Sequence, residues 1–420
     1  MRSQVEGSQA VARAVTLCRP GVIAAYPISP QTHIVESLSD RVRTGELAPC
    51  EYLMVESEFG AMSACIGASA AGARTYTATS SQGLLFMAEA LFNASGLGLP
   101  IVMTLANRAI GAPINIWNDH SDAMAMRDSG WIQLYAESNQ EAVDLHVQAF
   151  RLAETLSVPV MVCMDGFVLT HATEQVDLPE QEQVDAFLPA FVPQQELDPD
   201  DPVTIGAMVG PEAFAEVKYL MHAKQVAALD EVPQIAADFR EAFGRDSGGL
   251  VRPYRVEGAE TVVVALGSVL GTLQEVVDTL RDAGVSIGVL GISCFRPWPS
   301  HEVRTALAEA ERVVVVERAF AVGAGGIVGQ NVRDATRGLA ADVYDVVAGL
   351  GGRPVTRDSL NRLLDDVLGG RLDPQRLHFL DLDHDLVQRE LERSRRGERP
   401  GPHAEHMLRD LGTVASGAYE

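Results

Sequence analysis

QEAVDLHVQAFRLAETLSVPVMVC, residues 140–163, decides the fold. Gln140–Leu156 is amphipathic with helical spacing, and Val158–Cys163 is a continuous apolar run. A strand apolar on both faces must be covered on both faces, as in a parallel sheet between layers of helices. The same rhythm extends upstream. Strands are expected at Gly21–Ala25, Thr75–Thr79 and Ile101–Leu105. Helices fit between them at Gly7–Cys18, Gln31–Ser39, Glu58–Ala71 and Leu84–Gly96. Strand and helix in alternation predict an α/β fold with a parallel sheet.

Beyond this first segment the text changes. LDPDDPVTIG (197–206) is acidic and proline-rich, and a helical stretch follows at Gly210–Phe243. GRDSGGLVRPY (244–254) reads as a glycine-rich link. A second α/β unit follows. Its strands are expected at Thr261–Leu266, Ser286–Ser293 and Arg312–Glu317, and its helices at Gly271–Ala283 and His301–Ala310. Gly323, Gly325, Gly326 and Gly329 open a further helix. The expected division is 1–255, 256–375 and a tail, 376–420. The tail holds a charged helix, Leu386–Arg395, and the breaker SRRGERPGPH.

The 420 residues suffice for two or three domains with a large core. A net charge of -24 excludes a general nucleic-acid binder, because phosphate backbones require basic surface. An acidic surface suits solubility more readily than a basic partner. No stretch of eighteen apolar residues lacks charge, so no membrane span is expected. The polar start, MRSQVEGSQA, does not read as a signal peptide, which makes the cytoplasm the default. The five cysteines are scattered, with no C-x-x-C pair. Iron–sulfur clusters and structural zinc need closely spaced thiolates, so neither is expected here, and no metal ligand is assigned.

Three segments carry candidate chemistry. In EYLMVESEFGAMSACIGASAAGARTYTATSSQGL (51–84), Glu58 stands at the front of a helix rich in small residues. Such a helix packs closely against a backbone or a flat cofactor. On residue chemistry alone, Glu58 as a first-turn acid complementing the helix dipole is the stronger reading. In YPISPQT (26–32), two prolines flank Ser29 where a strand ends, which is where α/β folds bind ligands. Ser29 is equally a helix cap. In ANRAIGAPINIWNDHSD (106–122), Arg108 is the only cation. It suits a carboxylate gripped by two parallel hydrogen bonds, or simply the loop's own carbonyls. Asp119, His120 and Asp122 resemble a metal or acid–base cluster, although side chains this close in an irregular loop seldom converge on one ion. The chain has no Walker loop, no G-x-S-x-G elbow and no G-x-G-x-x-G after the first strand.

Taken together, these segments resemble the α subunit of pyruvate:ferredoxin oxidoreductases, from about Gly7 to Leu364. The likeness runs through YPISPQTHIVE, VESEFGAMSACIGASAAGA, TSSQGL, NRAIGAPINIWNDHSDAMAMRDSGW, PVMVCMDGFVLTH, DDPVTIGA and FGRDSGGLVRPYRVE. It continues through FRPWP, GAGG and GLGGRPVT. The resemblance implies a pyrimidine-binding thiamine diphosphate domain followed by a transketolase C-terminal-like domain. It implies that Glu58 hydrogen-bonds the aminopyrimidine of thiamine diphosphate, and that Ser29 and Arg108 bind the substrate carboxylate. Many relatives have threonine where Ser29 stands. Oxalate-using relatives carry arginine there, which argues against oxalate.

The resemblance further implies a β subunit that holds the cofactor diphosphate, magnesium and a [4Fe-4S] cluster. The absence of the G-D-G…N segment from this chain agrees with that division. Implied with it are γ and δ subunits, a dimer of heteromers, pyruvate and coenzyme A as substrates, and ferredoxin as electron acceptor. Two neighbouring functions compete: a branched-chain 2-oxoacid:ferredoxin oxidoreductase subunit and a non-oxidative thiamine-dependent decarboxylase subunit.

Overall fold

The computed structural model describes residues 2–202, 204–395 and 403–413. It divides into two compact units, Met1–His378 and Phe379–Glu420. In the first unit the chain runs β1 (Arg2–Glu6), α1 (Gly7–Leu17), β2 (Val22–Ala25), α2 (Thr32–Thr44), β3 (Glu51–Met54), α3 (Glu58–Ala70) and β4 (Thr75–Thr79). Then come α4 (Ser81–Phe86), α5 (Ala88–Leu97), β5 (Ile101–Asn107), α6 (Ser121–Ala125), β6 (Ile132–Tyr135), α7 (Asn139–Leu156), β7 (Val160–Asp165) and β8 (Thr173–Asp177). After α8 (Gln181–Phe187) and the long α9 (Phe214–Phe243), the second α/β segment begins. It comprises β9 (Val251–Tyr254), β10 (Thr261–Ala265), α10 (Val269–Asp282), β11 (Ile287–Ile292), β12 (Cys294–Arg296), α11 (Ser300–Ala306), β13 (Arg312–Glu317), α12 (Ile327–Ala335), β14 (Asp342–Val347) and α13 (Arg357–Leu368).

Seven strands form one sheet in the order β12-β6-β7-β5-β4-β2-β3. Every pair is parallel except β12 against β6. The central β5 is buried at every position, as its continuous apolar run requires. Its side chains alternate between two cores. Ile101, Met103 and Leu105 face the helices α3 and α5, and Val102 faces α1, α2 and α7. In the second sheet β14, β13, β10 and β11 pair in parallel, and β9 runs antiparallel along β11. A small antiparallel ribbon joins β1 to β8.

The structure departs from the sequence expectations at edges and breaks. β3, EYLM, is an edge strand with no fully buried residue, so it lacks the apolar run of a central strand. β6, IQLY, is buried but interrupted by Gln133, whose amide donates to the Ala123 carbonyl at 2.9 Å. The helix expected at Leu84–Gly96 is two helices broken at Met87. The glycine-rich link contains β9, and β12 joins the first sheet although its sequence neighbours belong to the second.

In the second unit lie α14 (His384–Arg395) and α15 (His403–Asp410), and buried Glu390 pairs with His403 at 3.0 Å. Most of the SRRGERPGPH breaker lies outside the described residues. Among those described, no helix is long and apolar enough to cross a membrane.

Candidate active site

The candidate residues meet at the carboxyl ends of the parallel strands β2, β3, β4 and β5, where α/β sheets bind ligands. Ser57 caps α3 by accepting from the Gly60 amide at 3.1 Å, which sets the helix start and places Glu58 in its first turn. Glu58 is only 8% exposed. Among the described residues, its carboxylate accepts no hydrogen bond. Its nearest wall is Gly83 of α4. A Cβ on Gly83 would lie 2.7 Å from Glu58 Oε1 and 2.5 Å from Thr79 Oγ1, so only glycine fits while Glu58 keeps this position. Thr79 Oγ1 is itself buried and unpartnered.

Arg108 and Ser29 come together. The Arg108 guanidinium donates from Nη1 to the Ser29 carbonyl and from Nε to the Asn115 carbonyl, both at 3.0 Å. Nη2 and the Ser29 hydroxyl have no protein partner among the described residues. Arg108 therefore braces its loop and keeps one donor edge free.

Asp119, His120 and Asp122 do not converge. Asp119 accepts from the amides of Ser121 and Gly351 at 3.0 and 3.1 Å. His120 bonds Asp165 Oδ1 at 2.6 Å. Asp122 is fully buried and accepts from four donors: the amides of Ser81, Arg108 and Ala123 and the side chain of Asn107, all between 2.8 and 3.0 Å. One carboxylate thus ties the Arg108 loop to the turn beside Gly83. Ser81 in that turn has a left-handed backbone (φ 49°), a conformation that needs such anchoring. Sequence reading missed both Asp122's role and Gly83. The TSSQGL motif marked the place without saying what it does.

A second buried network links the two sheets. Asp165, at the end of β7, accepts from Arg318 Nη1 at 3.1 Å and from the Ser268 amide at 2.9 Å, besides pairing with His120. Burial opposes its charge, yet Arg318 and His120 outweigh burial and hold the carboxyl well below its usual value. Gly267 (φ 78°) lets the chain pass the His120 ring, which a Cβ would meet at 3.1 Å.

Three other carboxyls go the opposite way. Burial pushes Asp122 up from 3.8 to about 6, and pushes Glu141 and Glu317 up from 4.5 to about 7. The folded chain then holds protons that the unfolded chain releases. These contributions to stability are complete below the unfolded values and are lost as pH rises through about 6 to 7. Glu317 accepts the amides of Ile327, Val328 and Gly329, which a glutamine oxygen can also do in part. Thermal melts of Glu317→Gln between about pH 5 and pH 8 should show a flatter pH dependence than the unmodified chain, by on the order of 1 kcal/mol. An unchanged slope would remove Glu317 from the account.

Fold and site define a parallel α/β protein with a buried, unpartnered carboxylate at the ligand-binding edge of its sheet. Residues 13–238 match the family model for pyruvate flavodoxin/ferredoxin oxidoreductase, thiamine diphosphate-binding. Residues 259–360 match pyruvate:ferredoxin oxidoreductase core domain II. The chain belongs to the pyruvate:ferredoxin oxidoreductase family. The pyruvate synthase subunit PorA of Methanosarcina barkeri is 47% identical over 393 residues, 91% of this chain and 97% of that protein. PorA of Thermotoga maritima is 44% identical, over 91% and 98% of the two chains. The ketoisovalerate oxidoreductase subunit VorA of Pyrococcus horikoshii is 38% identical, over 89% and 97%. Among solved structures, a 2-oxoglutarate:ferredoxin oxidoreductase from Magnetococcus marinus shares the fold with a TM-score of 0.68 at 21% identity. That match covers 87% of this chain and 65% of the other.

Proposed function

We propose that this chain is the α subunit of a pyruvate:ferredoxin oxidoreductase. Glu58, Ser29 and Arg108 form its half of an active site shared with a β subunit. One observation carries the reading: a carboxylate buried at a helix start, at the ligand-binding edge of the sheet, with no protein donor. Buried polar groups nearly always find a partner. An aminopyrimidine edge is a fitting one, and the family model names thiamine diphosphate. When bound, thiamine diphosphate supplies a nucleophilic carbon and an electron sink.

Glu58 shares a proton with the aminopyrimidine ring, and Gly83 keeps the space its carboxylate needs. The free edge of Arg108 and the Ser29 hydroxyl bind the carboxylate of the 2-oxoacid. A charged, directional grip of this kind selects 2-oxoacids over aldehydes. Asp122 fixes Arg108 relative to the Gly83 turn.

On this reading residues 1–255 form the pyrimidine-binding domain, 256–375 a transketolase C-terminal-like domain and 376–420 a tail. The β subunit holds magnesium, the cofactor diphosphate and a [4Fe-4S] cluster, γ and δ subunits complete a dimer of heteromers, and the assembly works in the cytoplasm. Pyruvate, coenzyme A and oxidised ferredoxin give acetyl-CoA, carbon dioxide and reduced ferredoxin, or the reverse. Phe59 and Phe86 flank the Glu58–Gly83 contact in sequence, and their rings lie 6.5 Å apart. With Met54 they are exposed by 39%, 60% and 60% respectively, an apolar rim suited to cover by the β subunit.

Purified alone, the chain should be inactive. Co-purified with its β partner, it should reduce ferredoxin with pyruvate in a coenzyme A-dependent reaction, and more efficiently than with 3-methyl-2-oxobutanoate. A preference for the branched substrate would move the assignment to the ketoisovalerate enzymes. Turnover without coenzyme A or ferredoxin would move it to the non-oxidative decarboxylases.

A further inference from the structure

We propose that Glu6, His33 and His171 form a binding site for a divalent transition-metal ion of the zinc class. The three side chains come from separate segments. Glu6 is the last residue of β1, His33 is the second residue of α2, and His171 lies between β7 and β8. Backbone pairing brings two of them together. Glu6 is opposite Thr173 in the β1–β8 ribbon, and the amides of Gly7 and Ser8 donate to the carbonyls of Ala172 and Thr170 at 3.0 and 2.9 Å. The approach is so close that a Cβ on Gly7 would lie 2.1 Å from the Leu169 carbonyl oxygen.

One donor atom from each residue lies within 4.8 Å of the other two, the only such group of three among the described residues. His33 Nδ1 is 2.7 Å from Glu6 Oε1. The His33 and His171 rings are 4.8 Å apart at 37°. Thr170 Oγ1 lies 2.8 Å from His171 Nδ1, which orients the ring and leaves Nε2 as the free donor.

The donor set decides the ion. Two imidazoles and one carboxylate suit zinc, cobalt or nickel with an open fourth position. Magnesium and calcium prefer oxygen throughout. Tetrahedral bonds of about 2.0–2.2 Å place neighbouring donors about 3.4 Å apart. Small rotations of His33 and Glu6, whose side chains are 45% and 30% exposed, bring the donors to that spacing. The same exposure provides an entry path and a solvent-facing fourth position. From His171 a ladder of rings leads to Phe167 at 4.7 Å and on to Trp117 at 5.0 Å. The Trp117 carbonyl accepts from the Ala109 amide at 3.0 Å. A bound ion therefore braces the loop that carries Arg108.

The test uses the tag-free full chain, stripped with chelator and titrated with Co²⁺ and then Zn²⁺. One cobalt ion should bind per chain, with the ligand-field absorption of a four-coordinate site, and zinc should displace it. His33→Gln and His171→Gln should lose the ion, whereas His222→Gln, on the distant α9, should keep it. Zinc should also shield His33 and His171 of the unmodified chain from diethyl pyrocarbonate. No binding, equal binding by the His33 and His171 variants, a thiolate charge-transfer band that places the cobalt on a cysteine, or a labelling pattern indifferent to zinc would overturn the proposal.

Discussion

Glu58→Gln should lower turnover of the assembled enzyme by about 10²–10⁴-fold, the range contributed by a side chain that handles a proton in the reaction. The same substitution should leave the fold at least as stable as before. The Glu58 side chain is 8% exposed and receives no protein hydrogen bond among the described residues, so an amide of the same shape removes no contact that the fold uses. Activity should thus fall while stability holds, as expected where a site keeps a group for a ligand rather than for the fold.

Gly83→Ala provides an independent check on the geometry. In most helices this change is favourable. Here the new methyl would occupy the space of the Glu58 carboxylate. Turnover should fall as in Glu58→Gln, but with a loss of stability of about 1–3 kcal/mol from overpacking. Turnover near normal in Glu58→Gln, with assembly intact, would sink the catalytic assignment. Near-normal turnover in Gly83→Ala alone would show instead that Glu58 is free to move.

The central strands were legible because burial on both faces leaves one message in the residues. VPVMVC is apolar throughout and IVMTL apolar but for Thr104, and β5 and β7 are buried at every position. β3 and β6 carry mixed messages. The first sits at an edge with most of its side chains in water, and the second spends a buried position on Gln133. At the site, Ser29 and Arg108 could be picked out because each follows an expected strand, and Glu58 because it opens a helix of small residues, although the strand before it was not expected. Asp119, His120 and Asp122 form no single cluster, because neighbours in an irregular loop point in different directions. Asp122 organises backbone, and His120 faces Asp165, which is distant in sequence. The Glu6–His33–His171 group was invisible for the converse reason. Its members are far apart in the chain, and the β1–β8 ribbon and the packing of α2 against α1 bring them together. Cysteine spacing, the signal used to set metals aside, says nothing about imidazole sites.

Arg108→Ala should raise the Michaelis constant for pyruvate by about ten- to a hundredfold, the loss expected for a charge-assisted hydrogen bond worth about 1.5–3 kcal/mol. The structure adds a complication that separates binding from bracing. The guanidinium already serves the carbonyls of Ser29 and Asn115, so its removal also frees the loop. Arg108→Lys keeps the charge but not the fork, and a lysine cannot reproduce both carbonyl contacts along with a bidentate grip. If Arg108 binds the substrate carboxylate, Arg108→Lys should restore only a small part of the lost affinity.

Ser29→Ala supplies the comparison. The arginine touches the Ser29 carbonyl, which alanine retains, so the loop should hold its shape and only a hydroxyl contact of about 0.5–1.5 kcal/mol should be lost. The Michaelis constant should then rise several-fold, with kcat nearly unchanged. If Arg108 were structural alone, Arg108→Ala would lower the melting temperature and kcat while the Michaelis constant stayed close to normal. That pattern would leave the substrate carboxylate without a charged partner on this chain. It would place the grip on the β subunit instead.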